Sequence, residues 1–497
     1  MRVLLTGGAG YIGSHTAVNL ISDGNKVLLY DNLSNSDASV INGIAAITGV
    51  KPTLIKGDVL DEIGLVNAIE KFKPDAVIHF AGLKSVKESS LKPLEYYSTN
   101  VGVKNIKEQF IVVANHTSRC DYIYVVSAFY PIKLNFMAAY CEFFRKHLHF
   151  IFDIMHVIPK RNFTADMHTI KELKQVVKDG GNIAFFPEGK SSISGTNQPC
   201  MIGTGKLIKH MRMPVYCVNI KGGYMSNTQW NIAVRSGKVV ATLDKLFTPE
   251  EIDNLSPEEI ERKIDKAIYN DDFEWNKTMR IKYKGNETVA NKLEEHLFRC
   301  PKCGSEFEMK GEGNKIVCTH CGNGATINDY YDLVPLDKDC VIPKTIRVWY
   351  ELQRRAVYRE IKSNPDFCME EEVTLGMLPN DHYIDKQYTA EIVGKGKIKL
   401  TTNEFSFVGE KNGEPFEFHN DVLNVPTLIL ETDSSYFGTY YEGEYYEFTP
   451  SRPVVTKWVL ATEECHRLKG GKWQNTLPQQ QWIYADDKPS DKEEYYL

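Results

Sequence analysis

Asn115-His116-Thr117-Ser118-Arg119-Cys120-Asp121 closes the apolar run Phe110-Ile111-Val112-Val113-Ala114, and a second apolar run, Tyr122-Ile123-Tyr124-Val125-Val126, follows it. That order reads as a buried strand, a tight turn and a helix start, with Thr117 or Ser118 able to cap the helix. A His on such a turn, with an Asp five residues on, can form a base and its orienter. The Asp holds one ring nitrogen protonated, and the other is left to take a proton from a bound hydroxyl. Downstream, Phe185-Phe186-Pro187-Glu188-Gly189 closes another apolar run.

Asn115-His116 with Asp121, followed by Phe186-Pro187-Glu188-Gly189, resembles the glycerolipid acyltransferases that acylate lysophosphatidic acid and related acceptors. The resemblance runs from about Ile106 to Lys221 and includes Val157-Ile158-Pro159-Lys160-Arg161 and a late strand, Met213 to Val218. It implies that His116 is the general base and Asp121 its partner. It also implies that Asn115, Arg161, Pro187, Glu188 and Gly189 bind the acceptor and its phosphate. Lys190-Ser191-Ser192 stands where the family has Thr-Arg-Ser, which keeps a cation at the loop.

A chain of 497 residues exceeds one ordinary hydrophobic core, so several domains are expected. The net charge of -6 argues against a general nucleic-acid binder, and no nucleic-acid partner is expected. The eleven cysteines form no obvious disulfide framework, which favours a reducing cytoplasm. No signal peptide precedes Arg2-Val3-Leu4-Leu5, and Lys133 breaks the most apolar run, Tyr122 to Ile132. A lipid acceptor therefore implies peripheral contact with the membrane surface.

Residues 1 to about 100 alternate strand and helix signals. Val3-Leu4-Leu5 leads into Gly7-Gly8-Ala9-Gly10-Tyr11-Ile12-Gly13 and an apolar-periodic helix, and a second strand ends on Asp31. The glycines let the backbone approach a pyrophosphate at a helix N-terminus, and Asp31 can accept from ribose hydroxyls. The segment resembles the N-terminal half of UDP-glucose 4-epimerase through Thr6 to His15, Asp31-Asn32-Leu33-Ser34-Asn35-Ser36, Gly57-Asp58-Val59, His79 to Lys84 and Lys92 to Tyr97. By that resemblance Gly7, Gly10, Tyr11, Ile12, Gly13, Asp31, Asn32, Asn35, Ser36, Asp58, Val59, Phe80, Ala81, Gly82 and Lys84 would line an NAD site. The resemblance stops just past Asn100-Val101. The Tyr-x-x-x-Lys pair of the epimerases is absent between Val101 and Cys300, and the later pairs, Tyr358/Lys362 and Tyr484/Lys488, lie in charged segments. NAD is accordingly expected to be a weak or vestigial ligand. The fourth strand, Ala76 to Phe80, is expected to become an exposed apolar edge unless later chain covers it.

After the acyltransferase-like segment, Thr248-Pro249-Glu250-Glu251 and Ser256-Pro257-Glu258-Glu259 each read as a cap, a proline and an acid opening a helix. Cys300-Pro301-Lys302-Cys303 and Cys318-Thr319-His320-Cys321 follow, 14 residues apart. Two such knuckles read as a zinc ribbon in which Cys300, Cys303, Cys318 and Cys321 bind a structural zinc, with His320 outside the set. The remainder is a helix from Lys344 to Lys362, alternating strands suggesting a small barrel or sandwich, a helix from Val454 to Leu468, an order that resembles a pleckstrin-homology-like barrel by analogy alone, and a charged tail.

The fold class expected is α/β: an incomplete Rossmann-like N-terminal half, an α/β acyltransferase domain, a zinc ribbon and a C-terminal β-rich domain. The divisions are 1–103, 104–245, 246–297 (helical connector), 298–335 (zinc ribbon), 336–380 (helical), 381–472 (β-rich) and 473–497 (tail). The function expected is transfer of an acyl group from acyl-CoA or acyl carrier protein to a lysophospholipid such as 1-acylglycerol-3-phosphate, by a cytoplasmic protein peripherally associated with the membrane. An NAD-dependent epimerase and a non-enzymatic zinc-ribbon adaptor are the alternatives. The missing Tyr-x-x-x-Lys pair counts against the first. For the second, truncation before Leu297 would abolish a partner interaction and spare acyl transfer.

Overall fold

Val3, Leu4 and Leu5 are buried to both sides of β1 (Arg2–Thr6), as a near-continuous apolar run demands of a central parallel strand. β1 pairs in parallel with β2 (Lys26–Asp31) and with β4 (Ala76–His79), and β3 (Thr53–Lys56) lies outside β2, giving the order β3-β2-β1-β4. The crossovers carry α1 (Tyr11–Ser22), α2 (Val40–Thr48) and α3 (Glu62–Phe72). β4 is the edge strand expected from the sequence: Ala76 and Val77 are exposed, as are Ile63, Val66 and Ile69 on α3.

The structure, a computed structural model, describes residues 1–34, 36–59, 61–81, 106–163, 167–380, 382–384, 390–430, 434–472, 477–486 and 494–497. Asn35, Gly82 and Lys84 of the expected NAD site, and Lys92 to Tyr97, lie outside them. The chain forms two compact units, Met1–Ser98 and Thr99–Leu497.

The second unit is built on a six-stranded sheet whose central strand, β5 (Ile111–Ala114), is the apolar run before His116. Its neighbours are β8 (Ile183–Phe185) and β9 (Val215–Lys221), both parallel to it. β6 (Asn135–Ala139) and β7 (Ile158–Lys160) continue the sheet beyond β8, and β10 (Val240–Phe247) closes it antiparallel to β9. Successive side chains on a strand point to opposite faces. Ile111 and Val113 therefore face one core, and Phe110, Val112 and Ala114 face the other. The first core is roofed by α6 (Met167–Lys178), α7 (Thr204–Met211) and α8 (Pro257–Ile268), the last through Ile260, Ile264 and Ile268 one turn apart. The second is roofed by α4 (Asp121–Phe129), which places Val125 and Phe129 there. Thr248 and Ser256 each make the full capping box expected of them.

Beyond β10 lie a four-stranded antiparallel sheet, β11 (Met309–Glu312), β12 (Lys315–Cys318), β13 (Gly324–Ile327) and β14 (Leu333–Pro335), and then α9 (Ile346–Ser363). The C-terminal sheet has seven strands: β15 (Cys368–Met377), β16 (Glu391–Thr401), β17 (Glu404–Lys411), β18 (Glu414–Asp421), β19 (Ile429–Leu430), β20 (Phe437–Tyr441) and β21 (Glu444–Pro450). Their order is β18-β17-β16-β15-β21-β20-β19. The helix expected at its end is α10 (Val455–Leu468), buried almost throughout. One apolar cluster runs from Ile193 and Trp230 through Leu297, Ile316 and Trp349 to Phe405 and Trp458, crossing the divisions drawn at 298, 336 and 381. The last residues, expected as part of a tail, dock on this body. Tyr495 is buried against Trp482, and its carbonyl accepts from the Lys344 amide.

Candidate active site

His116 and Glu188 meet because of register. β5 and β8 run parallel with Val113 opposite Phe185, so residues three further along each strand stand side by side at the strands' C-terminal ends. The His116 amide donates to Glu188 Oε1 at 2.6 Å, and the Gln198 amide donates to Oε2 at 2.5 Å. Glu188 is wholly buried, and burial pushes its carboxyl well above the usual range, against the pull of those two amides. Its expected contact with the acceptor is therefore replaced by an internal one: both oxygens hold loops together. Asn115 is likewise fully buried, and its amide group bonds the Ile220 N–H and C=O of β9 in place of a ladder residue.

His116 Nδ1 lies 2.9 Å from Asp121 Oδ2. Asp121 is buried at the first turn of α4 and also accepts from the Thr117 hydroxyl, the Ser118 amide and the Ser118 hydroxyl. A carboxylate only accepts, so Nδ1 carries the proton and a neutral ring keeps its Nε2 lone pair free. The imidazole is stacked on Phe186 with centroids 4.2 Å apart, and its side chain is 24% exposed, enough to meet a substrate. Thr117 and Ser118, expected to cap the helix, instead direct their hydroxyls at Asp121. The cap position falls to Cys120, whose own side chain makes no cap bond, while Ser118 Oγ donates to Asp121 and also accepts from the Cys120 amide at 3.3 Å.

Arg161 follows β7, on the same edge of the sheet, exposed and with its guanidinium 5.2 Å from the Tyr140 ring centroid. The next residue ties this segment to the loop after β8: Asn162 Nδ2 donates to the Gly189 carbonyl at 3.0 Å. Gly189 has φ +73°, and a Cβ there would lie 2.3 Å from Met201 Sδ, so the turn admits glycine alone. Pro187 is buried, and its carbonyl accepts from Met201 N. Ser192 N donates to the His116 carbonyl at 2.6 Å, so one loop grips His116 from both its backbone groups. Phe186 and Ser192 carry a sequence signal, lying in Phe186-Pro187-Glu188-Gly189 and in Lys190-Ser191-Ser192 after it; Asn162 has none. The ammonium of Lys190, the cation kept at this loop, is 8% exposed and paired with Glu463.

In the N-terminal unit, Gly7 (φ +67°) brings the loop after β1 against Phe80 and Ala81, where a Cβ would lie 2.4 Å from Ala81 N. A Cβ on Gly13 would lie 2.4 Å from Gly7 O. The Gly10 amide closes the turn on Gly7 O, and Tyr11 and Ile12 stand exposed at the start of α1. This cradle fits a pyrophosphate. Asp31 is buried and turned inward: Oδ2 accepts from Ala9 N, and Oδ1 from Leu33 N and the Ser36 hydroxyl. Asn32 bonds Asp58, Val59 is half-buried in the core beneath, and Phe80 packs on the β1–β4 core.

The Sγ atoms of Cys300, Cys303, Cys318 and Cys321 all lie within 4.8 Å of one another, with Cys300–Cys321 at 3.7 Å and Cys303–Cys318 at 3.8 Å. A tetrahedron of thiolates about 2.3 Å from a central zinc has edges of about 3.8 Å, so this set can hold a metal ion. Asn323 Nδ2 sits 3.8 Å from Cys300 Sγ, and His320 is exposed outside the set. Among the described residues no helix is long and apolar enough to cross a membrane.

The family described as GDP-mannose 4,6 dehydratase matches residues 4–124, and the family described as acyltransferase matches residues 86–221. The UDP-glucose 4-epimerase of Yersinia enterocolitica is 52% identical over 101 residues, 20% of this chain and 30% of that protein. That of Klebsiella pneumoniae is 48% identical over 101 residues, 20% of this chain and 73% of that sequence. The solved 1-acyl-sn-glycerophosphate acyltransferase PlsC of Thermotoga maritima shares 20% identity over 37% of this chain and 74% of its own, with a TM-score of 0.31. The chain thus spans less than a third of the first of these epimerases. The N-terminal segment belongs with the UDP-glucose 4-epimerases, and residues 86–221 match the acyltransferase family model, which overlaps the first match at residues 86–124.

Proposed function

We propose that the protein transfers an acyl group from a thioester, acyl-CoA or acyl carrier protein, to the hydroxyl of a lysophospholipid such as 1-acylglycerol-3-phosphate. The observation that carries this is the His116–Asp121 pair at 2.9 Å, held on the sheet edge where the Gly189 loop and Arg161 also lie. His116 Nε2 takes the acceptor's hydroxyl proton as the oxygen attacks the thioester carbonyl carbon. The tetrahedral intermediate collapses with cleavage of the C–S bond, and the departing thiolate recovers the proton from the imidazolium. Asp121 orients the ring and stabilises its charged form, and Arg161 offers the acceptor's phosphate a guanidinium. Glu188 and Asn115 act through the backbone they hold. The test is acyl transfer from acyl-CoA to lysophosphatidic acid by the purified full chain. His116→Ala should lower the rate by about 10²–10⁴-fold with the fold retained. A folded His116→Ala protein turning over at the wild-type rate would sink the assignment.

The acceptor is amphiphilic, and the protein is assigned to the membrane surface as a peripheral protein. The support is α5 (Lys146–Met155), whose outward face carries Phe150, Ile151 and Ile154, all exposed, at helical spacing. Residues 130–178 hold eight Lys and Arg against four acids, opposite in sign to the chain's net -6 and suited to anionic lipid. The four-cysteine set is assigned one structural zinc, whose closed thiolate shell leaves no position for chemistry. NAD is assigned at most weak binding on the Gly7–Gly13 cradle, which when filled would seat the pyrophosphate.

A further inference from the structure

Lys190 lies in the middle of the loop that grips His116: Glu188 takes the histidine's amide and Ser192 gives to its carbonyl. Its own side chain leaves the site and enters the interior of the C-terminal region. The ammonium lies 2.5 Å from Glu463 Oε1 on α10 and 2.9 Å from Thr427 Oγ1, and Thr427 also donates to Glu463 at 2.6 Å. Glu463 Oε2 is 2.6 Å from Arg354 on α9, and Arg354 also reaches Glu464 at 2.9 Å. With Arg467, which lies 3.2 Å from Glu464, three cations and two anions share one buried site, with the Glu463 side chain 1% exposed. Burial alone would raise Glu463, yet Lys190 and Arg354 hold its carboxyl down at about 2; burial lowers Lys190, against Glu463. Such a cluster is weak evidence for stability, since apolar residues of like volume often do as well. What it supplies is a fixed direction, because a lysine with two acceptors in place cannot move without leaving charges unpaired.

We infer that Lys190 is a positioning residue for the acyl-transfer site, and that the C-terminal sheet and α10 are a working part of that site, anchoring from behind the loop that aims His116. This rests on the acyl-transfer reading above. The base is set by the loop's two backbone bonds, the loop by Lys190, and Lys190 by Glu463 and Thr427, which the chain supplies more than 230 residues later. Displacing a catalytic group by about 1 Å can cost about 10²-fold, so the readout belongs in kcat and not in stability alone.

Lys190→Met removes the anchor while Glu463 keeps Arg354 and Thr427. Its kcat should fall about 10- to 100-fold with KM for both substrates nearly unchanged, and Lys190→Arg should recover most of the loss. Amide exchange is measured in the same proteins. The His116 and Ser192 amides should exchange at least about tenfold faster in Lys190→Met, and the α6 amides should not change. Wild-type kcat in folded Lys190→Met, or unchanged exchange at both amides, overturns the inference and leaves the acyl-transfer reading standing. Absence of acyl transfer by the wild type overturns that reading, and the exchange result then decides the anchoring by itself. Should Lys190→Met fail to fold, Lys190→Met/Glu463→Gln takes its place, since both charges leave together and Arg354 keeps Glu464. If neither folds, the cluster serves the whole fold and not the loop, and the inference is wrong.

Discussion

Asn115 and Glu188 are polar side chains buried at the heart of the candidate site, and each is fully taken up by backbone groups of a neighbouring strand or loop. A buried polar group left unbonded costs about 1–3 kcal/mol, so such residues are placed by the bonds they complete. The exposed chemistry is left to His116, with Asp121 behind it. The four cysteines gather their thiols within 4.8 Å of one another, a set that could hold a metal ion. Because Cys300 and Cys318 also belong to the large shared core, metal loss should reach beyond the cysteine sheet. Cys303→Ser is expected to lower zinc from one per chain to near zero and to lower the melting temperature. Metal analysis and a thermal melt check both, and unchanged zinc content rules the site out.

Among the described helices α5 stands apart: no residue of it is fully buried, and Phe150 is 71% exposed. Its inner side is nevertheless fixed. Phe152 packs on Phe143 with centroids 4.8 Å apart, and His149 stacks on Tyr383 at 4.4 Å. A helix held on one side and apolar on the other can lie at a lipid interface without unfolding. Phe150→Glu/Ile154→Glu is expected to weaken sedimentation with anionic phospholipid vesicles by at least about tenfold, since burying each side chain is worth about 1.5–3 kcal/mol. Activity on a short-chain, water-soluble acceptor should stay near wild type. Vesicle binding equal to wild type would remove α5 as the contact.

At the scale of the molecule, a partial Rossmann-like sheet and a larger body that includes most of the acyltransferase-matching segment share one chain as two compact units. The first ends its sheet at β4 with Val77 exposed, and α3 shows Ile63, Val66 and Ile69 to solvent. The match spans 30% of the Yersinia epimerase, so most of that protein's length has no counterpart in it. Binding spread over two halves falls steeply when one is missing, because the cost of ordering the ligand remains. No conversion of UDP-galactose to UDP-glucose is expected when the protein is incubated with NAD, and titration should show only weak NAD binding. Turnover surviving His116→Ala but lost in Asp31→Ala would reverse this. Of the late Tyr-x-x-x-Lys pairs, the Tyr358 ring stands edge-on to Tyr484 with the Lys362 ammonium 5.4 Å from its centroid, and Lys488 is outside the described residues.

Local pattern carried the strands, the glycine cradle, the two capping boxes, the cysteine set and the residues around His116, because each depends on neighbours close in sequence. Apolar runs must be buried, glycines mark positions where a Cβ collides, and a cap is written in four residues. What tertiary structure alone decided depends on distant partners. That Asn115 and Glu188 serve backbone follows from β8 and β9 lying against β5. That the Thr117 and Ser118 hydroxyls both donate to Asp121 follows from where that carboxylate is held. Lys190 reads in sequence as one more cation beside the acceptor. Only the packing of α10 behind the loop, with Glu463 waiting in a dry interior, turns it the other way.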